Sequence, residues 1–119
     1  MKKISLKARI NSFSYAFEGI REFFGNEHNA WFHLAGTIIV IMLSFIYGVT
    51  KWELIALVIV TGSVWTAELF NTAIEKTADL VSRERDPEIK FIKDVAAAAV
   101  LITALTALIT GCLIFIPKL

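Results

Sequence analysis

The sequence predicts an all-α membrane protein: an N-terminal amphipathic surface helix followed by three membrane-spanning helices. Three observations carry this reading. Apolar residues make up 56% of the 119, above the ~45–50% usual for soluble domains, and mean hydropathy is +0.65. Residues 30–49 and 95–116 are nearly free of charge, and runs of about 20 residues cross a ~30 Å hydrocarbon core at 1.5 Å per residue. Two Pro and six Gly supply little turn chemistry for a β fold. The length suits one domain.

Each element follows from its own residues. In segment 1–28, Ile4, Ile10, Phe13, Phe17, Ile20 and Phe24 recur at helical spacing, with Lys3, Lys7, Arg9, Glu18, Arg21 and Glu22 between them. That pattern is an amphipathic helix lying in the membrane interface. Residues 30–49 form the first span, with His33 its one ionisable side chain near neutral pH. Residues 48–51 are too short for anything but a turn, so the second span runs antiparallel to the first. The second, 52–82, is largely apolar as far as Thr66, then meets Glu68 and continues without a breaker. It reads as a long helix that crosses the membrane and emerges beyond it. A charged loop, 83–94, follows, with Pro87 inside it. Pro87 suits a helix's first turn, with Asp86 as N-cap and Glu88 just after. The third span, 95–116, carries no charge, and its alanine run 96–99 gives one side small enough for close helix contact.

Charge sets the orientation. Ten Lys and Arg lie before the first span, on the emergent end of the second (Lys76) or between the second and third, and only Lys51 and Lys118 lie on the other side. The positive-inside rule then puts the N-terminus and the charged loop in the cytoplasm. Trp31, Tyr47 and Trp52 fit interfacial anchor positions. The net charge of +1 offers no basic field for nucleic acid. No secretory signal is expected from a start that is charged throughout. The single cysteine, Cys112, has no partner for a disulfide or a zinc motif and is expected to pack as a small hydrophobe.

The chemistry is concentrated in ELFNTAIEKTADL. At 100° per residue, Glu68, Asn71, Thr72, Glu75 and Asp79 share one face, within about 60° of Glu68, and Thr61 extends that face deeper. Carboxylates at membrane depth cost about 2.5–3.5 kcal/mol each and mark function by default. Several on one face call for positive charge, most simply a divalent cation such as Mg2+, which takes carboxylates together with substrate phosphates. Glu75 and Asp79 suit a soluble Mg–nucleotide, and Glu68, about 10 Å deeper, suits a lipid headgroup hydroxyl. No P-loop or protein-kinase motif is present, and neither His28 nor His33 falls in a nucleophile motif.

The same block resembles the signature of the small prokaryotic diacylglycerol kinase family, E-x-x-N-[ST]-A-[IL]-E-x-x-x-D. Every fixed position matches, at Glu68, Asn71, Thr72, Ala73, Ile74, Glu75 and Asp79. Lys93-Asp94 before an alanine-rich span matches too, as does the stretch holding Tyr15, Gly19-Ile20-Arg21 and Asn26-Glu27. The resemblance implies a homotrimer of three-span subunits, with active sites between subunits, that transfers the ATP γ-phosphate to a lipid alcohol. It implies Glu68 as general base and Asn71 as the residue orienting the reacting groups. Glu27 and Glu75 would hold the Mg2+ of Mg–ATP, Lys93 would contact phosphate, and Asp79, Asp94 and Tyr15 would complete the nucleotide site. Lys7 and Arg9 do not align with the family's nucleotide-contacting basic residues. The stretch HNAWFHL after Glu27 is similar to the Gram-positive branch, several members of which prefer undecaprenol, so diacylglycerol and undecaprenol both stand as acceptors. Two readings compete with the lipid kinase: a non-enzymatic oligomeric channel or transport subunit with an acidic lining, and a scaffold anchored by its amphipathic helix. The scaffold leaves Glu68 unexplained.

Overall fold

A computed structural model describes residues 5–119. Lys2, Lys3 and Ile4, which enter the charge count and the periodicity, lie outside the described residues. All regular structure among those described is helical: α1 (Leu6–Asn26), α2 (His28–Tyr47), α3 (Lys51–Val81), α4 (Pro87–Phe115) and a closing 3-10 turn, Ile116–Lys118. The helices α2, α3 and α4 are each long and apolar enough to cross a membrane. Their large apolar side chains are mostly exposed, Phe45 at 86% and Leu113 at 72%. Water does not tolerate apolar surface on that scale, and lipid does. The chain belongs in a membrane.

Local chemistry explains the helix ends. Ser5 caps α1 by accepting from the Ala8 N–H. Gly48, at φ +69°, takes the left-handed conformation that lets the chain leave α2 without a Cβ penalty. Thr50 then starts α3 with a capping box: its hydroxyl accepts from the Glu53 N–H, and the Glu53 carboxylate accepts from the Thr50 N–H. Glu53 also pairs with Lys118 at 3.1 Å, tying the start of α3 to the chain's end. Asp86 caps α4 by accepting from the Glu88 N–H at 2.8 Å, with Pro87 in the first turn.

The structure corrects two expectations. The segment 83–94, set apart as a charged loop, is loop only as far as Asp86: α4 starts at Pro87, where the Asp86-Pro87 signal places a helix start, and 87–94 are its first two turns. Glu, Lys, Ile and Phe all sustain a helix, and loss of hydropathy marks the bilayer edge rather than the end of a helix. The connection between α3 and α4 is therefore only residues 82–86. Cys112, expected to be packed, is exposed. On a span, an apolar residue facing outward meets lipid and needs no protein neighbour.

The chain divides into two units, one ending at Phe32 and the other covering His33–Leu119. Within the first, the Trp31 indole folds back onto α1. Its N–H donates to the Phe24 carbonyl at 3.1 Å and its ring meets Phe24 edge-on at 5.3 Å. Within the second, α3 and α4 pack together along most of their length. The less exposed positions of α3 include Leu57, Thr61, Val64, Glu68, Asn71, Glu75 and Ala78. Those of α4 include Ile89, Lys93, Ala96, Val100, Thr103, Ala107, Thr110 and Ile114. Both sets alternate steps of four and three, the 3.5-residue repeat of a coiled-coil seam. Leu57, Ile114 and Phe115 close one end of it, with Val40 and Leu43 of α2 against them. Toward the other end the α3 side turns polar, which delivers the acids of the motif into the bundle instead of to the lipid.

Candidate functional site

Glu68 is the one buried charged residue among those described, at 4% exposure. The Nε2 of His33 on α2 lies 2.7 Å from its Oε1. The hairpin explains the meeting. His33 precedes Thr50 by as many positions as Glu68 follows Lys51, so antiparallel helices of equal rise bring the two level. One turn nearer the hairpin, Thr37 and Trp65 are likewise equidistant from Lys51. There the Trp65 indole N–H donates to the Thr37 hydroxyl at 2.9 Å. That hydroxyl donates in turn to the His33 carbonyl at 2.7 Å, and the His33 and Trp65 rings meet edge-on at 6.0 Å. Beyond this ladder the same two helices border an apolar groove of about 460 Å3, lined by Val40, Ile41, Phe45, Leu57 and Val58 among others.

Along α3 away from the hairpin, the Asn71 amide donates to Glu75 Oε1 at 3.3 Å. Asn71 Oδ1 is buried with no hydrogen-bond partner. An orphaned amide oxygen beside a carboxylate is an all-oxygen donor pair, which suits a hard divalent cation. No group of three His, Cys, Asp or Glu that would enclose a metal is gathered among the described residues. A cation here would need ligands from elsewhere, and Mg2+ commonly takes them from substrate phosphates. Further along, Lys93 Nζ of α4 donates to Asp79 Oδ1 of α3 at 2.6 Å. Asp94 stands apart from that pair and is bonded to Lys90 at 2.5 Å.

The structure thus brings together Asn71 with Glu75, and Asp79 with Lys93, while Glu68 sits deeper with His33. Tyr15 and Glu27 belong to the first unit. Tyr15 is exposed on α1. Glu27 is the extended residue between α1 and α2, its N–H donating to the Phe23 carbonyl at 3.0 Å. The residue that sequence reasoning passes over is His33. Part of the signal is present, because reflecting the chain about the Thr50–Lys51 bond, at the α3 end of the turn, pairs it with Glu68.

Chemically, Glu68 is a buried carboxyl with one oxygen engaged by His33, one turn from an apolar groove that Thr37 and Trp65 border. Farther along the helix, about 10 Å away, are oxygen donors for a cation, and then a lysine–carboxylate pair. This arrangement is chemically suited to a reaction that joins a membrane-dissolved group to a soluble anionic one.

Comparisons with known proteins agree with that chemistry. Residues 14–115 match the family model described as prokaryotic diacylglycerol kinase. An undecaprenol kinase of Bacillus subtilis is 41% identical over 110 residues, covering 91% of this chain and 88% of that protein. A diacylglycerol kinase of Haemophilus influenzae is 30% identical over 115 residues, covering 96% and 98%. A diacylglycerol kinase of Synechocystis is 32% identical over 109 residues, covering 91% of this chain but 62% of that longer protein. Nothing in these relatives favours a channel or a scaffold. The family match spans most of the chain, and two of the relatives align over nearly their whole length. The chain therefore belongs to the prokaryotic diacylglycerol kinase family and is a membrane lipid kinase.

Proposed function

We propose that the chain transfers the γ-phosphate of ATP to the hydroxyl of undecaprenol. The observation that carries the reaction is the burial of Glu68 on the same helical seam as Asn71 and Glu75, one depth for a lipid hydroxyl and another for a nucleotide. The 41% identity to an undecaprenol kinase supports the acceptor. Diacylglycerol is the second reading, supported by relatives at 30% and 32% that bear that name.

In the proposed reaction the lipid oxygen forms a bond to the γ-phosphorus, and the bond from phosphorus to the bridging oxygen breaks. ADP leaves, and the lipid hydroxyl's proton passes to Glu68. Asn71 orients the reacting groups. Phosphoryl transfer depends mainly on positioning and charge neutralisation, and this division of roles supplies both. Glu75, with Glu27 and the free Asn71 oxygen, would hold Mg2+, which neutralises charge on the β- and γ-phosphates when bound. Lys93 moves between Asp79 and phosphate, Asp79 and Asp94 hold the basic side chains in place, and Tyr15 contributes to the nucleotide site. The sites form between subunits of a homotrimer, which fits a single chain that gathers no three-donor metal group among its described residues. The whole of 1–119 is one kinase domain in the bacterial inner membrane. Helix α1 lies as an amphipathic helix in the interface, and the active site faces the cytoplasm, in keeping with the distribution of Lys and Arg.

The test is phosphorylation of lipid by purified protein in detergent micelles with labelled ATP, offering undecaprenol and diacylglycerol side by side. The expected result is ATP consumption only with a lipid alcohol present, and undecaprenyl phosphate as the main product. Phosphatidic acid as the main product would install diacylglycerol as acceptor. No lipid product from either would refute the assignment.

A further inference from the structure

We propose that His33 is a positioning residue for the phosphoryl transfer, holding one oxygen of Glu68 so that the other is presented to the lipid hydroxyl. The inference rests on the reading of Glu68 as the base. An ionised carboxylate only accepts hydrogen bonds, so the 2.7 Å contact with Oε1 requires the proton on His33 Nε2, and the imidazole is the donor. No other side chain among the described residues hydrogen-bonds this carboxylate, so Oε2 remains for the substrate. His33 is itself held. Its carbonyl accepts from Thr37, its ring meets the edge of Trp65, and Trp65 is bonded to Thr37 in the next turn.

Attachment of α2 to α3 does not account for the pair. The hairpin turn and the cluster of Leu57 with Val40 and Leu43 already join these helices. A buried polar pair contributes little that a well-packed apolar pair would not. What an apolar pair cannot do is fix the rotamer of a carboxylate that must meet a hydroxyl at hydrogen-bond distance. A displacement of about 1 Å in such a group costs up to roughly a hundredfold in rate.

The experiment uses full-length protein in lipid–detergent micelles, with turnover and the KM for ATP measured separately. His33→Gln places its amide nitrogen as many bonds from Cβ as Nε2, whereas the amide of His33→Asn matches Nδ1 and falls short of Glu68. His33→Asn and His33→Leu are expected to lower turnover by about ten- to a hundredfold, with the KM for ATP within roughly threefold of wild type. His33→Gln is expected to restore turnover to within about threefold. Wild-type turnover in His33→Asn and His33→Leu, while Glu68→Gln is inactive, overturns the role of His33 and leaves Glu68 as base. Wild-type turnover in Glu68→Gln overturns both. Equal losses in Gln and Asn, or parallel losses in turnover and ATP affinity, reduce His33 to an interhelical link and overturn the proposal.

Discussion

Glu68→Gln separates proton transfer from nucleotide binding, and the structure sizes both effects. The substitution keeps the side chain's length and can still accept from His33, but the amide cannot take up a proton. General-base catalysis contributes about 10²–10⁴-fold, or roughly 3–5 kcal/mol at 1.36 kcal/mol per decade. Turnover should therefore fall at least about a hundredfold. The effect on nucleotide binding is electrostatic and acts along the helix. Glu75 is two turns further along α3, about 10 Å at 1.5 Å per residue. Removing one charge at that distance changes the energy of another by about 0.4 kcal/mol at the dielectric of water and about 1.7 kcal/mol at a protein-surface value.

The sign of that second effect is fixed. Mg–ATP is a net anion, so loss of a negative charge at position 68 should leave its affinity unchanged or tighten it, by at most about twentyfold for each unit of its net charge. The assay is steady-state phosphorylation of lipid in micelles, paired with direct titration of a non-hydrolysable ATP analogue in magnesium. Weakened analogue binding in proportion to lost turnover would move Glu68 into the metal site. Unchanged turnover would reduce the His33–Glu68 pair to structural contact, and another base would have to be sought.

Three further outcomes test other parts of the reading. Glu75→Gln should yield a folded membrane protein that has lost ATP-dependent activity, and near-normal turnover at ordinary magnesium would exclude Glu75 as a ligand. Cysteine placed singly at position 51 or 85, in a Cys112→Ala background, should react with an impermeant reagent on intact cells at 51 and not at 85; the reverse would overturn the orientation. Thr50→Ala removes the N-cap of α3 and should lower stability by about 0.5–2 kcal/mol while turnover of the folded fraction holds, whereas a large loss of turnover per folded molecule would link this end of the hairpin to the site.

Much of the architecture is legible because the bilayer imposes lengths and signs that a sequence displays openly. Apolar runs mark the spans, Gly48 and Lys51 bound the hairpin turn, and Asp86-Pro87 mark the start of α4. The misreadings share one cause. Hydropathy reports what surrounds a helix and says nothing of whether the backbone is helical, so the charged first turns of α4 are grouped with the loop although Asp86-Pro87 already mark a helix start. It likewise treats Cys112 as inward because it is apolar, although in lipid outward positions are equally satisfied. The motif residues on α3 can be grouped by 3.6-residue periodicity because they share one helix. His33 and Glu68 are 35 positions apart, and the Lys93–Asp79 bridge joins two helices. Such pairings appear only when the register between helices is fixed, which the turn does for α2 and the heptad seam does for α4.

The length of α3 accounts for how one helix serves two solvents. Its 31 residues extend about 46 Å at 1.5 Å per residue, against a hydrocarbon core of ~30 Å. With Lys51 at one boundary, a span of about 20 residues ends near Phe70. Glu68 then falls just inside the apolar layer, and Asn71, Glu75 and Asp79 fall on the surplus beyond it. A shorter helix would leave the acids proposed to face the nucleotide in lipid, and one in another register would put Glu68 into water, where a lipid hydroxyl does not go. The seam adds the second constraint. Because Glu68, Asn71 and Glu75 occupy its repeating positions, they are turned toward protein, where a carboxylate can be held by a partner such as His33 instead of being driven from the bilayer. Depth is set by helix length and direction by the heptad register, and a lipid kinase of this size needs both from the same helix.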